Sequence, residues 1–375
     1  MHMALLNDLY QVGNTIDTFA PGHYARVYEA IDKRDGRQVA FKVMRLEHVV
    51  EGDAQPRMEA TAFINEADLL TRMAVSPHVV RLYDCGYLSA RDENPRGGEI
   101  ESYGLNVELF RQGIFRYAGR GWRPYLALEL LPRTDSLLYV MKPNTNGVRW
   151  RLPTEEGIDL AYQFAEVLAL AHRQRIVYLD HKLEHVYWDG RQLKVIDWNS
   201  SRLIEGGGQA LAQKVSDDLH NLCAGILYPV FTGLSPQKGA LMAQPADQSG
   251  VESRYRDITA LDFSVEPTLS KGIQAWLQGG AQRAYASLDQ FRTALGKAAA
   301  AFGWEIGFSS AALRAARTDM RDGLAKLRQG QAALREARDL LRDAVTIEDI
   351  GEDLEAELRR LLSKINEMLQ YRVIP

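Results

Sequence analysis

Cysteine is almost missing from this 375-residue chain, which has only Cys85 and Cys223, each inside an apolar run and without CxxC spacing. That excludes a disulfide scaffold or a thiolate zinc framework and leaves two buried thiols in a reducing, cytoplasmic setting as the expectation. Long apolar runs are missing too. None approaches the roughly 18 residues that span a bilayer, and the opening MHMALLNDLYQ has no basic region followed by an apolar stretch. Neither a membrane partner nor an export signal is therefore expected. Nor does one sign of charge dominate: 45 Lys and Arg stand against 49 Asp and Glu, a formal net charge of -4. Such a balance gives no general attraction for nucleic acid or anionic lipid. What is present, 46% hydrophobic and 25% charged residues, suffices for a sizeable globular core.

The first third of the chain alternates with a period of two. ARVYEAID and QVAFKVMR read as strands joined through Asp35-Gly36 as a hairpin, and VVRLYDCGYL and PYLALELL as two more strands. Between these pairs Ala62, Ile64, Ala67, Leu70 and Met73 recur at helical spacing, which predicts a helix over 57–73 that stops near Ser76-Pro77. Residues 89–122, with Gly97-Gly98, Gly119 and Gly121, form an unusually long polar connection and read as an insertion. Its Arg111, Phe115, Arg116, Tyr117, Arg120 and Trp122 are expected in a solvated loop with one or two aromatic anchors, in preference to a nucleic-acid surface.

Beyond Leu131 the pattern turns helical. Thr154 is expected to cap a helix running to Arg173, with Glu155 and Glu156 opposing the positive dipole end and Ile158, Ala161, Phe164, Leu168 and Ala171 as its buried stripe. HVYW and LKVI straddle Asp189-Gly190 as a small hairpin, and further helices are expected near 217–232, 268–278 and 287–301. From Ser309 the chain is rich in Ala, Arg, Leu and Glu, with Leu313, Met320, Leu327, Leu334 and Leu341 repeating every seven positions. Leu354, Leu358, Leu361, Ile365 and Met368 continue the stripe beyond a break near 345–351. An antiparallel hairpin is the preferred expectation; an intermolecular coiled coil, making a homo-oligomer, is the alternative.

Phosphoryl transfer asks a protein for cations on the phosphates, carboxylates for metal, and an acceptor for the proton of the attacking hydroxyl. Lys42, in VAFK, lies on the second hairpin strand, turned away from Phe41 and Val43. Glu66 follows on the next helix, from which a carboxylate can hold an extended amine. IVYLDHKLEHVYWDGRQLKVIDWNSSR, residues 176–202, then sets Asp180 and Lys182 at alternate positions before the small hairpin and Asp197 directly after it. This order resembles the eukaryotic-type protein kinase family, including its bacterial Ser/Thr members, with its H-R-D-x-K-x-x-N and D-F-G patterns. HVVRLYDCG, ALELL, DDLHNLCAGILYPVFTG and LQGGAQRAYASLDQFRTAL resemble further landmarks of that family, so the likeness spans most of 12–301.

The resemblance implies an α+β, bilobal protein kinase-like fold: a small β-rich lobe over 1–131 with the insertion 89–122, a large helical lobe over 132–305, and an added helical hairpin over 306–375. It implies ATP with Mg2+ or Mn2+ and a protein substrate or partner. Lys42 would pair with the phosphates, anchored by Glu66; Asp180 would orient the acceptor hydroxyl and take its proton; Lys182 would neutralise the transferring phosphoryl group; Asp197 would hold metal. Gly22, Val27, Ala40, Leu128, Glu129 and Leu131 would line the nucleotide pocket, with Leu128 as gatekeeper and Glu129 to Leu131 offering backbone groups. His185 takes the place of the family's Asn metal ligand.

Several positions depart from the pattern. APGHYARV at 20–27 keeps only Gly22 and Val27 of the Gly-rich loop. Trp198-Asn199 replaces Phe-Gly, with Asn199 expected to take the left-handed backbone. His185 as a ligand suits a softer ion than an amide oxygen does, which points to Mn2+; a core or capping His is the plain alternative. Leu179 replaces the Arg before the catalytic Asp. Only about twenty residues separate Asp197 from Asp217-Asp218, without A-P-E, so the peptide platform is missing and Arg283 is expected to lack its Glu partner. A Ser/Thr-type kinase leads; a pseudokinase scaffold holding a partner through the C-terminal helices and a small-molecule phosphotransferase are the alternatives.

Overall fold

The computed structural model describes residues 4–16, 24–51, 55–141, 151–205, 208–234, 248–301, 311–347 and 351–370. Gly22 lies outside them. The chain opens with β1 (Ala4–Leu5), the single turn α1 (Leu6–Leu9), β2 (Tyr10–Thr15), β3 (Ala25–Asp32) and β4 (Arg37–Met44). β3 and β4 pair in register from Ala25–Met44 to Asp32–Arg37. Their turn needs Gly36, whose φ of 75° falls where a side chain would be strained. After the small hairpin of β5 (Val50–Glu51) and β6 (Gln55–Pro56) comes α2 (Met58–Met73), which buries Phe63, Ile64, Ala67, Leu70 and Met73. β7 (Leu82–Leu88), β8 (Glu99–Ser102), α3 (Val107–Ala118) and β9 (Arg123–Glu129) complete the small lobe. Its sheet has seven strands in the order β1-β8-β7-β9-β4-β3-β2.

Residues 89–122 are not a solvated loop. β8 extends the sheet, and α3 lays Val107, Phe110, Ile114 and Tyr117 into the core beside α2. Of the cluster expected at the surface, Tyr117 and Trp122 are buried, their rings tilted with centres 5.0 Å apart, while Arg111 pairs with Asp68 of α2 at 3.3 Å. Phe115, 69% exposed, Arg116 and Arg120 face solvent. The buried carboxylate of Asp84 staples this segment: it accepts from Tyr10 Oη at 2.6 Å, Ser102 Oγ and Gly104 N at 2.8 Å, and Tyr125 Oη at 3.0 Å. A buried charge with this many donors is compensated.

The large lobe runs through α4 (Leu137–Val140), α5 (Thr154–Arg173), β10 (Ile176–Val177), β11 (Val186–Trp188), β12 (Leu193–Val195), β13 (Arg202–Leu203) and α6 (Gln209–Asn221). A π-helical stretch over Leu222–Leu227 leads into α7 (Tyr228–Thr232), followed by α8 (Gln248–Ser253), α9 (Lys271–Ala281) and α10 (Leu288–Ala300). The stripe of α5 is buried as its spacing predicts. Its cap is different: Pro153 holds the cap position and Thr154 is already helical, with no side-chain cap bond. The fixed φ of proline suits a helix entry without needing the hydroxyl. Two long helices end the chain, α11 (Ala311–Val345) and α12 (Glu352–Gln370). They lie against each other, which their short connection makes antiparallel. Among the described residues no helix is long and apolar enough to cross a membrane.

Candidate active site

The site forms where β4, α2 and the loops flanking the β11–β12 hairpin meet. β4 is buried on both faces, and Lys42 with it, at 7% exposure. A buried ammonium needs acids, and it has two: Lys42 Nζ lies 2.7 Å from Glu66 Oε2 and 3.0 Å from Asp197 Oδ1. Burial pulls the Lys42 pKa down, but the charges of Asp197 and Glu66 outweigh it and hold the amine above its ordinary value. Glu66, fully buried, is pushed up by burial with Lys42 opposing. Burial also works to raise Asp197, yet Lys42, His185 and Lys182 together keep that carboxyl well below the usual range. Asp197 is therefore ionised at neutral pH.

Backbone geometry aims these groups. The left-handed residue after β12 is Asp197 itself, with φ 58°. Asn199 does not take that conformation; its amide instead donates to Asp197 Oδ1, so its side chain, and not its tolerance of positive φ, is what the site uses. Trp198 is buried with its ring edge-on to Tyr178, centres 5.0 Å apart. A second strained residue, Leu179, has φ 67°. Asp218 of α6 accepts from the N–H groups of Tyr178 at 2.9 Å and Leu179 at 2.7 Å, and Asn221 Nδ2 donates to the Leu179 carbonyl at 3.1 Å. These bonds over-determine the turn that delivers Asp180. Sequence reasoning noted Asp218 only as part of an acidic pair and missed its role, although a carboxylate in the DDLHN stretch that resembles the family's central helix was the available signal. Arg283, expected to lack its usual Glu partner, pairs instead with Asp217 at 3.4 Å.

At the other end of the cleft stands Asp180, 4% exposed. Lys182 Nζ lies 3.0 Å from its Oδ2, and Arg254 Nη1 lies 3.1 Å from its Oδ1. Sequence reasoning missed Arg254, which no motif marks. The two ends are bridged by one ring: His185 Nδ1 faces the Asp180 carbonyl oxygen at 3.1 Å, and Nε2 faces Asp197 Oδ2 at 3.3 Å. The carbonyl can only accept, so Nδ1 carries a proton; in the neutral ring the Nε2 lone pair looks at a carboxylate. A cation between them would satisfy both, which fits a metal held by Asp197 and His185. Among the described residues no cluster of three or more His, Cys, Asp and Glu side chains could hold a metal. Two protein ligands with phosphate oxygens completing the shell is the usual arrangement for Mg2+ at nucleotides.

The predicted nucleotide pocket is assembled in part. Val27 stands across from Lys42 on β3, and Ala40 across from Leu128 on β9. Glu129 spends its N–H on the Arg81 carbonyl at 2.8 Å and its carboxylate on Lys194 at 2.7 Å. It therefore ties the hinge to β12, and its N–H is not on offer to a ligand. Leu131 follows, half-buried.

A two-lobed molecule with a strand lysine clamped by a helix glutamate, and two loop aspartates across the cleft, is the architecture of a protein kinase. The protein kinase domain matches residues 14–221, and the chain belongs to that family. It is 25% identical over 189 residues to cyclin-dependent kinase B2-1 of Arabidopsis thaliana, a match covering 50% of this chain and 49% of that protein. The chain thus spans about half the length of that relative. Members of the family generally use ATP and Mg2+.

Proposed function

We propose that the chain transfers the γ-phosphate of ATP to a serine or threonine hydroxyl of a protein, with a divalent metal. The observation that carries this is the single imidazole of His185 lying between Asp197 and Asp180, because it puts the nucleotide and acceptor ends into one reaction space. Lys42 pairs with phosphate oxygens and Glu66 keeps it extended. Asp180 orients the acceptor hydroxyl and takes its proton, while Lys182 stands beside it to neutralise the transferring group. A divalent ion, when bound, supplies positive charge against the phosphates; Asp197 and His185 would hold it, and the imidazole favours Mn2+ over Mg2+. Ala40, Val27 and Leu128 supply apolar surface for the base.

Purified chain with labelled ATP and either metal should label itself or a general protein acceptor, and Asp180→Ala and Asp197→Ala should each lose this. Stabilisation by ATP with no turnover would make it a pseudokinase scaffold. Turnover confined to a metabolite would make it a small-molecule phosphotransferase. Equal rates with Mg2+ and Mn2+, unaffected by His185→Ala, would remove His185 from the metal site.

A further inference from the structure

The last buried residue of the described chain is Ala299. α10 still buries Leu288, Phe291 and Leu295, but neither α11 nor α12 contributes a side chain to either hydrophobic core. Arg328 and Asp322 reach the large lobe as charges, to Glu156 and Arg191. A pair of helices makes a single layer and cannot enclose a core of its own. Its apolar residues stay half in water until another layer covers them.

The apolar face of α12 is wide enough for two neighbours. At about 100° per residue it spans an arc of about 120°, more than one adjoining helix covers. Leu358, Leu362, Ile365 and Leu369 form one edge and are half-buried, with α11 as the helix packed on α12. The other edge is Leu354, Leu361 and Met368, seven residues apart and 52, 37 and 52% exposed. A seam repeated at heptad spacing is the pattern by which one helix grips another.

The charges beside this seam say what covers it. Glu357 and Lys364 flank the stripe on its outer side, one before and one after Leu361. When α12 lies antiparallel on its own copy with Leu361 at the two-fold axis, Leu354 meets Met368 of the second copy, and each Glu357 comes opposite a Lys364. In a parallel pair, Glu357 would meet Glu357 and Lys364 would meet Lys364, which repels. Within the single chain Glu357 holds Arg360 of its own helix, an exposed pair of the kind that contributes little and exchanges readily. A two-fold contact needs a self-complementary surface, and this stripe is one.

We propose that the chain forms a homodimer through α12, two copies packing antiparallel about Leu361 so that the two hairpins close into a four-helix bundle. The dimer does not depend on the transfer proposed above. Its seam runs only about 21 Å from Leu354 to Met368, so the association belongs to the weak, concentration-dependent class.

Sedimentation of the full chain should give the mass of one chain at about 1 μM and of two at about 100 μM. Leu361→Lys, which puts a charge on the axis, should raise the dissociation constant by about tenfold or more without moving the urea midpoint of the dilute chain, since Leu361 is already exposed there. Glu357→Lys should weaken the dimer, and adding Lys364→Glu to the same chain should restore it. Cross-linking reads the orientation, because Cys85 and Cys223 are buried. Under oxidation a mixture of Leu354→Cys and Met368→Cys chains should join to each other and neither to itself, like positions lying about 21 Å apart, beyond disulfide reach. A single-chain mass at about 100 μM overturns the proposal and leaves the stripe to a different protein. So does a dimer that Leu361→Lys leaves intact, which would sit on another face, or self-joining of Leu354→Cys, which would make it parallel. A urea midpoint lowered by Leu361→Lys in the dilute chain would assign the stripe to the chain's own lobes instead.

Discussion

At one end of the cleft a cation, Lys42, lies between two acids, Glu66 and Asp197, at 2.7 and 3.0 Å; at the other an acid, Asp180, lies between two cations, Lys182 and Arg254, at 3.0 and 3.1 Å. The two triads are inverted copies of one electrostatic device. Each keeps its central charge compensated while the site is empty of substrate. Under the proposed transfer the first end takes the phosphates with their metal, and the second takes the acceptor hydroxyl. The difference follows from what each end must receive: a polyphosphate with its metal on one side, a hydroxyl group with its neighbours on the other.

The largest way to break this comparison is to remove the acid of the nucleotide end. Asp197→Asn should lower phosphate transfer by about a thousandfold, the scale for losing a preorganised charge in a dry site, in assays that saturate wild type with ATP and metal. Next comes a position outside both triads. Arg328 of α11 donates to the buried Glu156 Oε2 at 2.8 Å, beside Trp188 Nε1 at 2.6 Å. Arg328→Ala leaves that carboxylate with the indole alone and should cost about 3 kcal/mol in a denaturant titration, because it uncouples α11 from Glu156 of α5. If stability does not change, the C-terminal helices are not latched there.

Acid should separate the two ends. His181, next to Asp180, is buried with neither ring nitrogen hydrogen-bonded to a described residue, and burial pushes its pKa down to about 4. Its folded value lies below the unfolded one near 6.5, so the unfolded chain binds the extra proton between those values. Stability should therefore fall as pH drops from about 6.5 to about 4, by about 3 kcal/mol in all, and His181→Leu should flatten that limb of a urea-midpoint profile. Asp197 has the same sign but a lower window. Its folded pKa is depressed, so its contribution is present above the unfolded value near 4 and is lost only below it. A profile without an acid limb above pH 4 would contradict the buried, neutral His181. The smallest effect is expected from Tyr255→Phe, which removes one hydrogen bond to the His181 carbonyl and should cost about 1 kcal/mol in the same titration.

Much of the nucleotide end was legible before any coordinates. Lys42, Glu66 and Asp197 occur in order on elements whose periodicity is plain, and the β3–β4 hairpin needs only Asp35-Gly36 to be read. The stretch 89–122 was misjudged because its glycines and charges hide a helix whose Val107, Phe110, Ile114 and Tyr117 do in fact recur at three- and four-residue intervals. The acceptor end was legible only through Asp180 and Lys182. Arg254 lies 74 residues beyond Asp180 in a stretch with no repeating pattern, and the backbone strain at Leu179 leaves no compositional mark, since leucine does not favour positive φ.

Residue order and local periodicity by themselves determined the strand and helix types and carried the motifs that resemble the family, and with them the charges proposed to handle phosphate, because those depend on short-range spacing. Tertiary structure alone decided which charges face one another: that His185 spans two carboxylates, that Asp218 pins the turn before Asp180, and that an arginine from beyond α8 closes the acceptor end. Electrostatic energy depends on distance in space, and the chain brings together groups whose separation along it carries no information about that distance.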